Sequence, residues 1–163
     1  MNKQSNKRLQ ELNLERSRKV APTMPDAYRA SKKYTDKTAN GLTKCIIDFL
    51  NNSGFQAERI SVTGRYVDTS ITFTDVVGFK RKVGTGTWLP SSMKKGSADI
   101  SATIKGKSVK IEVKIGADKM SSAQFEYQAA IEKAGGIYYV AKDFDSFLNW
   151  FDFEFGENDK DSF

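Results

Sequence analysis

The sequence predicts an α/β fold, with helices and strands alternating along the chain and a β-rich excursion inserted between them. Three observations carry that prediction. Residues 98–115, "ADISATIKGKSVKIEVKI", hold two runs of strict apolar/polar alternation around a Gly-containing turn, the pattern of a β-hairpin with one buried face. Leu42, Ile46, Phe49 and Leu50, and later Phe144, Phe147, Leu148 and Phe151, recur at helical spacing. A chain of 163 residues, 39% hydrophobic and 12% aromatic, is long and apolar enough for one real core.

Taken in order, residues 1–33 are polar and basic with weak helical spacing, and Pro22 and Pro25 interrupt them. They read as a basic arm outside the core, partly helical or disordered. The core domain is expected over 34–152. "TDKTANGLTKCIIDFLNNSGF" reads as a helix that stops near Gly54, and "FQAERISVTG" as a strand ending at a turn. The next stretch, residues 65–96, is rich in Thr, Val, Phe and Gly and reads as an inserted β-hairpin or loop. Lys80, Arg81, Lys82, Lys94 and Lys95, with Phe79 and Trp88, interleave charge and aromatic rings. That mixture suits nucleic acid, and a solvated hairpin has the same composition.

The 98–115 hairpin has an expected register. With Gly106-Lys107 as a type II′ loop, Ile100 faces Val113, Ala102 faces Ile111 and Ile104 faces Val109. Asp99 then lies opposite Lys114, Ser101 opposite Glu112, and Asp99 and Glu112 are diagonal neighbours, roughly 7–8 Å apart. After the hairpin, "SSAQFEYQAAIEKAGG" reads as a helix, "IYYVA" as a strand and "DFDSFLNWFDF" as a last helix. Residues 153–163 read as a mobile acidic tail.

Composition limits the chemistry. There is no histidine, which excludes Ser-His-Asp and Cys-His catalysis and every metal site needing imidazole. A single cysteine, Cys45, excludes an internal disulfide and a zinc cluster. No apolar run is long enough to span a membrane, and the N-terminal residues lack the apolar segment of a secretion signal, so a cytoplasmic location is expected. Residues 1–40 hold 10 Lys/Arg against 4 Asp/Glu, while residues 143–163 hold 7 acidic residues against Lys160. A basic body with an acidic end, at net charge +6, suits a polyanionic partner. Two carboxylates spaced like Asp99 and Glu112 can share a divalent cation through oxygen, as Mg²⁺ prefers, with Lys114 beside it. Spacing alone favours the commoner outcome, a solvated cross-strand pair.

The ordered set of a helix, "KGSADI", a hairpin, "IEVK", "SSAQFEYQ" and "AGGIYYV" resembles the PD-(D/E)XK nuclease superfamily. Within it the likeness is to VRR-NUC domains and phage Holliday-junction-resolvase-like nucleases, from about Thr38 to Trp150. The resemblance implies a restriction-endonuclease-like core: a mixed central β-sheet flanked by helices in αβββαβ order, with an inserted β-hairpin. It implies a Mg²⁺- or Mn²⁺-dependent endonuclease acting on junction, flap or branched DNA, and a homodimer in a bacterial or phage-infected cell. Carried over by position, Asp99 and Glu112 are the metal-binding acids, the Val113 carbonyl completes the ligand set, and Lys114 is the catalytic lysine. Gln124 reads equally as the family glutamine and as the partner of Ser121 in a capping box. Arg59 and Gly64 resemble the family's arginine and glycine after the first strand, with Arg59 on the phosphate backbone. The family's glutamate on the first helix is missing from "TANGLTK", where Asn40 is the nearest polar side chain. That departure keeps open a non-catalytic nucleic-acid-binding module of the same fold, and behind it a purely structural protein.

Overall fold

A computed structural model describes residues 1–61, 64–91 and 94–156. The expected acidic tail beyond residue 156, and the parts of the excursion at 62–63 and 92–93, lie outside the described residues. The chain divides into two compact units: one takes Met1–Ile60 and the chain from Gly96 onward, the other Ser61–Lys95.

The first unit is mixed α/β. Its elements are helix α1 (Lys3–Val20), a 3₁₀ turn (Asp26–Tyr28), helix α2 (Ala39–Asn52), strand β1 (Gln56–Arg59), strands β6 (Ile100–Ile104) and β7 (Lys107–Val113), helix α3 (Ser122–Lys133), strand β8 (Ile137–Ala141) and helix α4 (Phe144–Phe155). The sheet runs β1-β6-β7-β8. β1, β6 and β7 are antiparallel and β8 lies parallel to β7, so the sheet is mixed.

Local chemistry sets the helix ends. Thr38 caps α2 by accepting from the Gly41 N–H, and Asn51 near its end bonds both ways to the Ala57 backbone at 2.9 Å. That second contact ties α2 to β1. Asp143 caps α4 through the Ser146 N–H. One face of the sheet presents Ile100, Ala102, Ile104, Val109 and Ile111, all buried, to α2 and α4. Phe49 of α2 meets Phe144, Phe147 and Phe151 of α4 edge-on, the arrangement aromatic rings prefer. α3 has no buried residue. Its polar first turn meets the other face of the sheet.

Three expectations change. Residues 1–33 were expected outside the core, yet α1 is an 18-residue helix whose Leu9 is fully buried in the core cluster. Arg8 binds Asp152 of α4 bidentately, at 2.7 and 2.8 Å, and lies over the Phe49 ring. Leu9, with buried Ser5 and half-buried Leu12 on the same face, and this fork dock the helix, a stripe with too few apolar residues to stand out as periodicity. α4 also runs through Phe155, which is buried, three residues into the stretch expected as tail.

The third change is the register of β6 and β7. Ile100 faces Ile111, Ala102 faces Val109 and Ile104 faces Lys107, two residues from the expected pairing. The loop is Lys105-Gly106, with φ of 47° and 80°. Two positive φ values make a type I′ turn rather than II′, and its twist matches that of the strands. A shift of two keeps every side chain on its own face, so apolar matching cannot choose between the two registers. Lys107 is tolerated opposite Ile104 because its ammonium reaches Glu154 at 3.5 Å and the Phe155 ring.

The second unit is one antiparallel ribbon. β2 (Arg65–Val67) pairs with β5 (Thr87–Leu89), and β3 (Ile71–Thr74) with β4 (Lys80–Val83). Tyr66 faces Trp88 and Thr72 faces Lys82, so both ladders continue one register across the break. The inserted hairpin is therefore longer than a single pair of strands.

Candidate active site

The site is built on the polar face of β6 and β7. Extending the observed register by one residue sets Asp99 opposite Glu112, where Lys114 had been expected. Ser101 lies opposite Lys110, which donates to its hydroxyl. The two acids are thus closer than the diagonal spacing required. Asp99 Oδ2 accepts the Val113 N–H at 2.9 Å, while its own carbonyl accepts from Ile60 N–H. Asp99 is half-buried, and Glu112 and Lys114 are buried, at 2% and 9% exposure.

Glu112 is the hub. Its Oε1 meets Lys114 Nζ at 3.2 Å and accepts a short hydrogen bond from Gln124 Nε2. The Tyr138 hydroxyl donates to Oε2 at 3.4 Å. Burial, and then the negative charge of Asp99, push the Glu112 carboxyl up from the usual glutamate range, against the pull of Lys114. Burial and the Glu112 charge also raise the Tyr138 phenol, keeping its proton available for donation. Lys114 is held from its other side by Asp118 Oδ2 at 3.5 Å.

Gln124 does both jobs that the sequence left open. Its Oε1 accepts from the Ser121 N–H at 2.8 Å, completing the capping box of α3, and its Nε2 reaches Glu112. Gly96 makes this approach feasible. Its φ is +84°, and a Cβ there would lie 2.3 Å from the Ala123 carbonyl oxygen. Only a glycine lets the chain before Asp99 pass against the first turn of α3. The Gly-x-x-Asp spacing thus has a steric reason: the glycine seats the helix and the aspartate reaches the site.

The structure brings together Asp99, Glu112, Lys114, Gln124 and the Val113 backbone. It does not join Asn40 or Arg59 to them. Arg59 Nη2 donates to Asn40 Oδ1 at 2.8 Å, both side chains are exposed, and among the described residues no hydrogen bond or ion pair links either to the acids. Sequence reasoning missed Tyr138 and Asp118. Tyr138 lies beside Lys110 across the parallel β7–β8 ladder, so its alternation within "IYYVA" was the available signal. Tyr127, whose ring meets Tyr138 edge-on, is half-buried over the same face.

The oxygen-only donor set suits a hard cation. Among the described residues Asp99 Oδ1 has no hydrogen-bond partner and Glu112 Oε2 has Tyr138 alone, which leaves both oxygens able to reach an ion, and two carboxylates with waters are enough for Mg²⁺. Among the described residues no group of three or more His, Cys, Asp or Glu side chains is placed to share an ion, so the set stops at two acids. Cys45 offers no second nucleophile, being buried with its thiol pushed up to about 11 by burial. On the ribbon, Lys80, Arg81 and Lys82 are exposed, as are Lys94 and Lys95. Arg81 pairs with Asp75 at 2.6 Å and Lys82 with Asp68 at 2.7 Å. No helix of the described residues is long and apolar enough to cross a membrane. No protein-family model matches the chain, and no curated protein matches it.

Proposed function

We propose that the chain is a metal-dependent nuclease with a restriction-endonuclease-like core, hydrolysing phosphodiester bonds in DNA. The observation that carries this reading is the Asp99–Glu112–Lys114 cluster, with Glu112 and Lys114 buried and Asp99 half-buried, braced by Gln124. Buried charges are costly unless paired, and a hairpin that buries Glu112 and Lys114 beside a third charge does so at a cost that function explains better than stability. Asp99 and Glu112 would hold Mg²⁺ or Mn²⁺ together with the Val113 carbonyl. A divalent ion there supplies charge stabilisation to the scissile phosphate and acidity to a bound water. Lys114 Nζ is placed to hydrogen-bond a phosphate oxygen or to orient the attacking water. Gln124 and Tyr138 fix the Glu112 carboxylate, so it does not reorganise during reaction. Water adds across the P–O3′ bond: its oxygen goes to phosphorus and a proton to the leaving oxygen. Cations of the ribbon would hold the DNA backbone without reading sequence.

Purified wild type, Asp99→Asn and Glu112→Gln should be compared on junction, flap and linear DNA with each metal. Both variants keep side-chain shape and remove one charge. Cleavage by wild type and a loss of roughly 10²-fold or more in both variants, with unchanged circular dichroism, is the expected result. Undiminished cleavage by either variant would sink the assignment. One observation favours a second reading: the helix position of the missing acid is occupied by Asn40, whose amide oxygen is bound to Arg59. A non-catalytic DNA-binding module would bind the same DNAs with steep salt dependence and cut none of them in either metal.

A further inference from the structure

The outer end of the ribbon combines exposed apolar side chains with an ordered backbone. Val76, Val77 and Phe79 at its tip are 105%, 73% and 65% exposed. Their backbone is nevertheless held from within. Asp75 Oδ1 accepts the Val77 and Phe79 N–H groups at 3.0 and 2.9 Å, the Asp75 N–H donates to the Phe79 carbonyl at 2.9 Å, and Arg81 clamps Asp75 Oδ2 at 2.6 Å. An exposed apolar group on a pre-ordered backbone marks a contact surface.

The flanking chemistry selects the partner. Residues 61–95 contain six Lys/Arg and two Asp, and both aspartates are ion-paired. Pairing sets Thr72, Thr74, Lys80 and Lys82 on one face of the ribbon, and hydroxyls and ammonium groups are the usual phosphate contacts. A two-stranded ribbon fits a DNA groove. Apolar side chains carried into a groove insert between bases that are unstacked or easily unstacked. Resting on the nuclease reading above, we infer that the ribbon tip is the branch-point reader. Val76, Val77 and Phe79 wedge between the bases at the branch of branched DNA and keep them unstacked, while Lys80 and Lys82 hold the phosphates beside them. A lipid surface would also accept apolar tips beside cations, but it makes no use of the threonine-lined face.

The test compares wild type with a Val76→Ser/Val77→Ser/Phe79→Ser variant, both carrying Asp99→Asn so that DNA stays intact. Fluorescence anisotropy gives Kd for a four-way junction and for a linear duplex of equal length and salt. The ratio of the two affinities is expected to fall roughly tenfold, with duplex affinity kept within about twofold. A junction carrying 2-aminopurine at the branch should brighten with wild type and not with the variant. An unchanged ratio, equal losses on both DNAs, or tip-dependent retention on anionic vesicles with an unchanged ratio would each overturn the inference. Binding is the only readout. If the Asp99→Asn protein still cuts, the nuclease reading fails, and the tip comparison is made on intact DNA with the divalent metal chelated. If no DNA is bound, both fail.

Discussion

The two hairpins of this protein carry the same pair of groups in opposite surroundings. In β6–β7, Lys114 meets Glu112 at 3.2 Å with side chains 10% and 3% exposed. In the ribbon, Lys82 meets Asp68 at 2.7 Å with side chains 61% and 52% exposed. The shorter contact is the weaker one. Water screens the ribbon pair, so it contributes about 0–1 kcal/mol. The buried pair has lost its water and cannot give up a partner cheaply. Burial, more than distance, ranks such contacts.

Four experiments bear on that contrast. The largest expected effect is from Lys114→Met against Lys82→Met. The first should cost about 3 kcal/mol in denaturant unfolding, because Glu112 stays buried without its cation, and the second about 1 kcal/mol or less. Equal costs would break the comparison. Next comes Gly96→Ala, which places a side chain at φ +84° against the Ala123 carbonyl. It should cost roughly 1–3 kcal/mol and also reduce cleavage, because the displaced turn carries Gln124. A stability loss with full cleavage would mean that Gln124 does not matter to the site.

Acid separates the hairpins by sign. The Glu112 carboxyl is raised by burial, so the folded state holds its proton more tightly than the unfolded chain does. Its contribution to stability is highest below the ordinary glutamate value and falls as pH rises through the raised one. Asp68 is lowered to about 2, chiefly by its hydrogen bond from Lys82. Its contribution is present above the ordinary aspartate range and is lost as pH falls toward 2. Unfolding curves from pH 2 to 7 for Glu112→Gln and Asp68→Asn, each against wild type, should therefore differ from it with opposite slopes. The smallest effect is expected from Val76→Ala, which should leave stability within about 0.5 kcal/mol, since that side chain packs on nothing that folding needs.

Much of this was legible in the residues. Alternation from Ala98 to Ile115 marked the hairpin and its faces, and the stripes of α2 and α4 marked the core. Asp99, Glu112, Lys114 and Gln124, which the sequence groups, do lie together in the fold. The partner of Asp99 was misplaced because turn type, and not apolar matching, decides between registers two apart. Tyr138 escaped notice because alternation within "IYYVA" marks its face only, and the residues it meets on β7 are joined to it through a distant parallel crossover. Leu9 escaped because the stripe it shares with Leu12 runs through polar Ser5, which hides the period. The ribbon's length was hidden by its break at residues 68–70 and 84–86, where pairing stops and later resumes in the same register.

Helix α3 buries none of its side chains, so hydrophobic packing does little to keep it on the sheet. What secures it is polar and local: the Gly96 passage, the Gln124 amide shared between cap and Glu112, and the Tyr127–Tyr138 edge contact. Its amides should accordingly exchange with solvent sooner than those of α2, through openings far smaller than global unfolding. Anything that draws on Glu112 also draws on the bond that anchors the helix. Deuterium uptake along Ser122–Lys133 then becomes a gauge of how firmly the carboxylate is held, readable without any turnover.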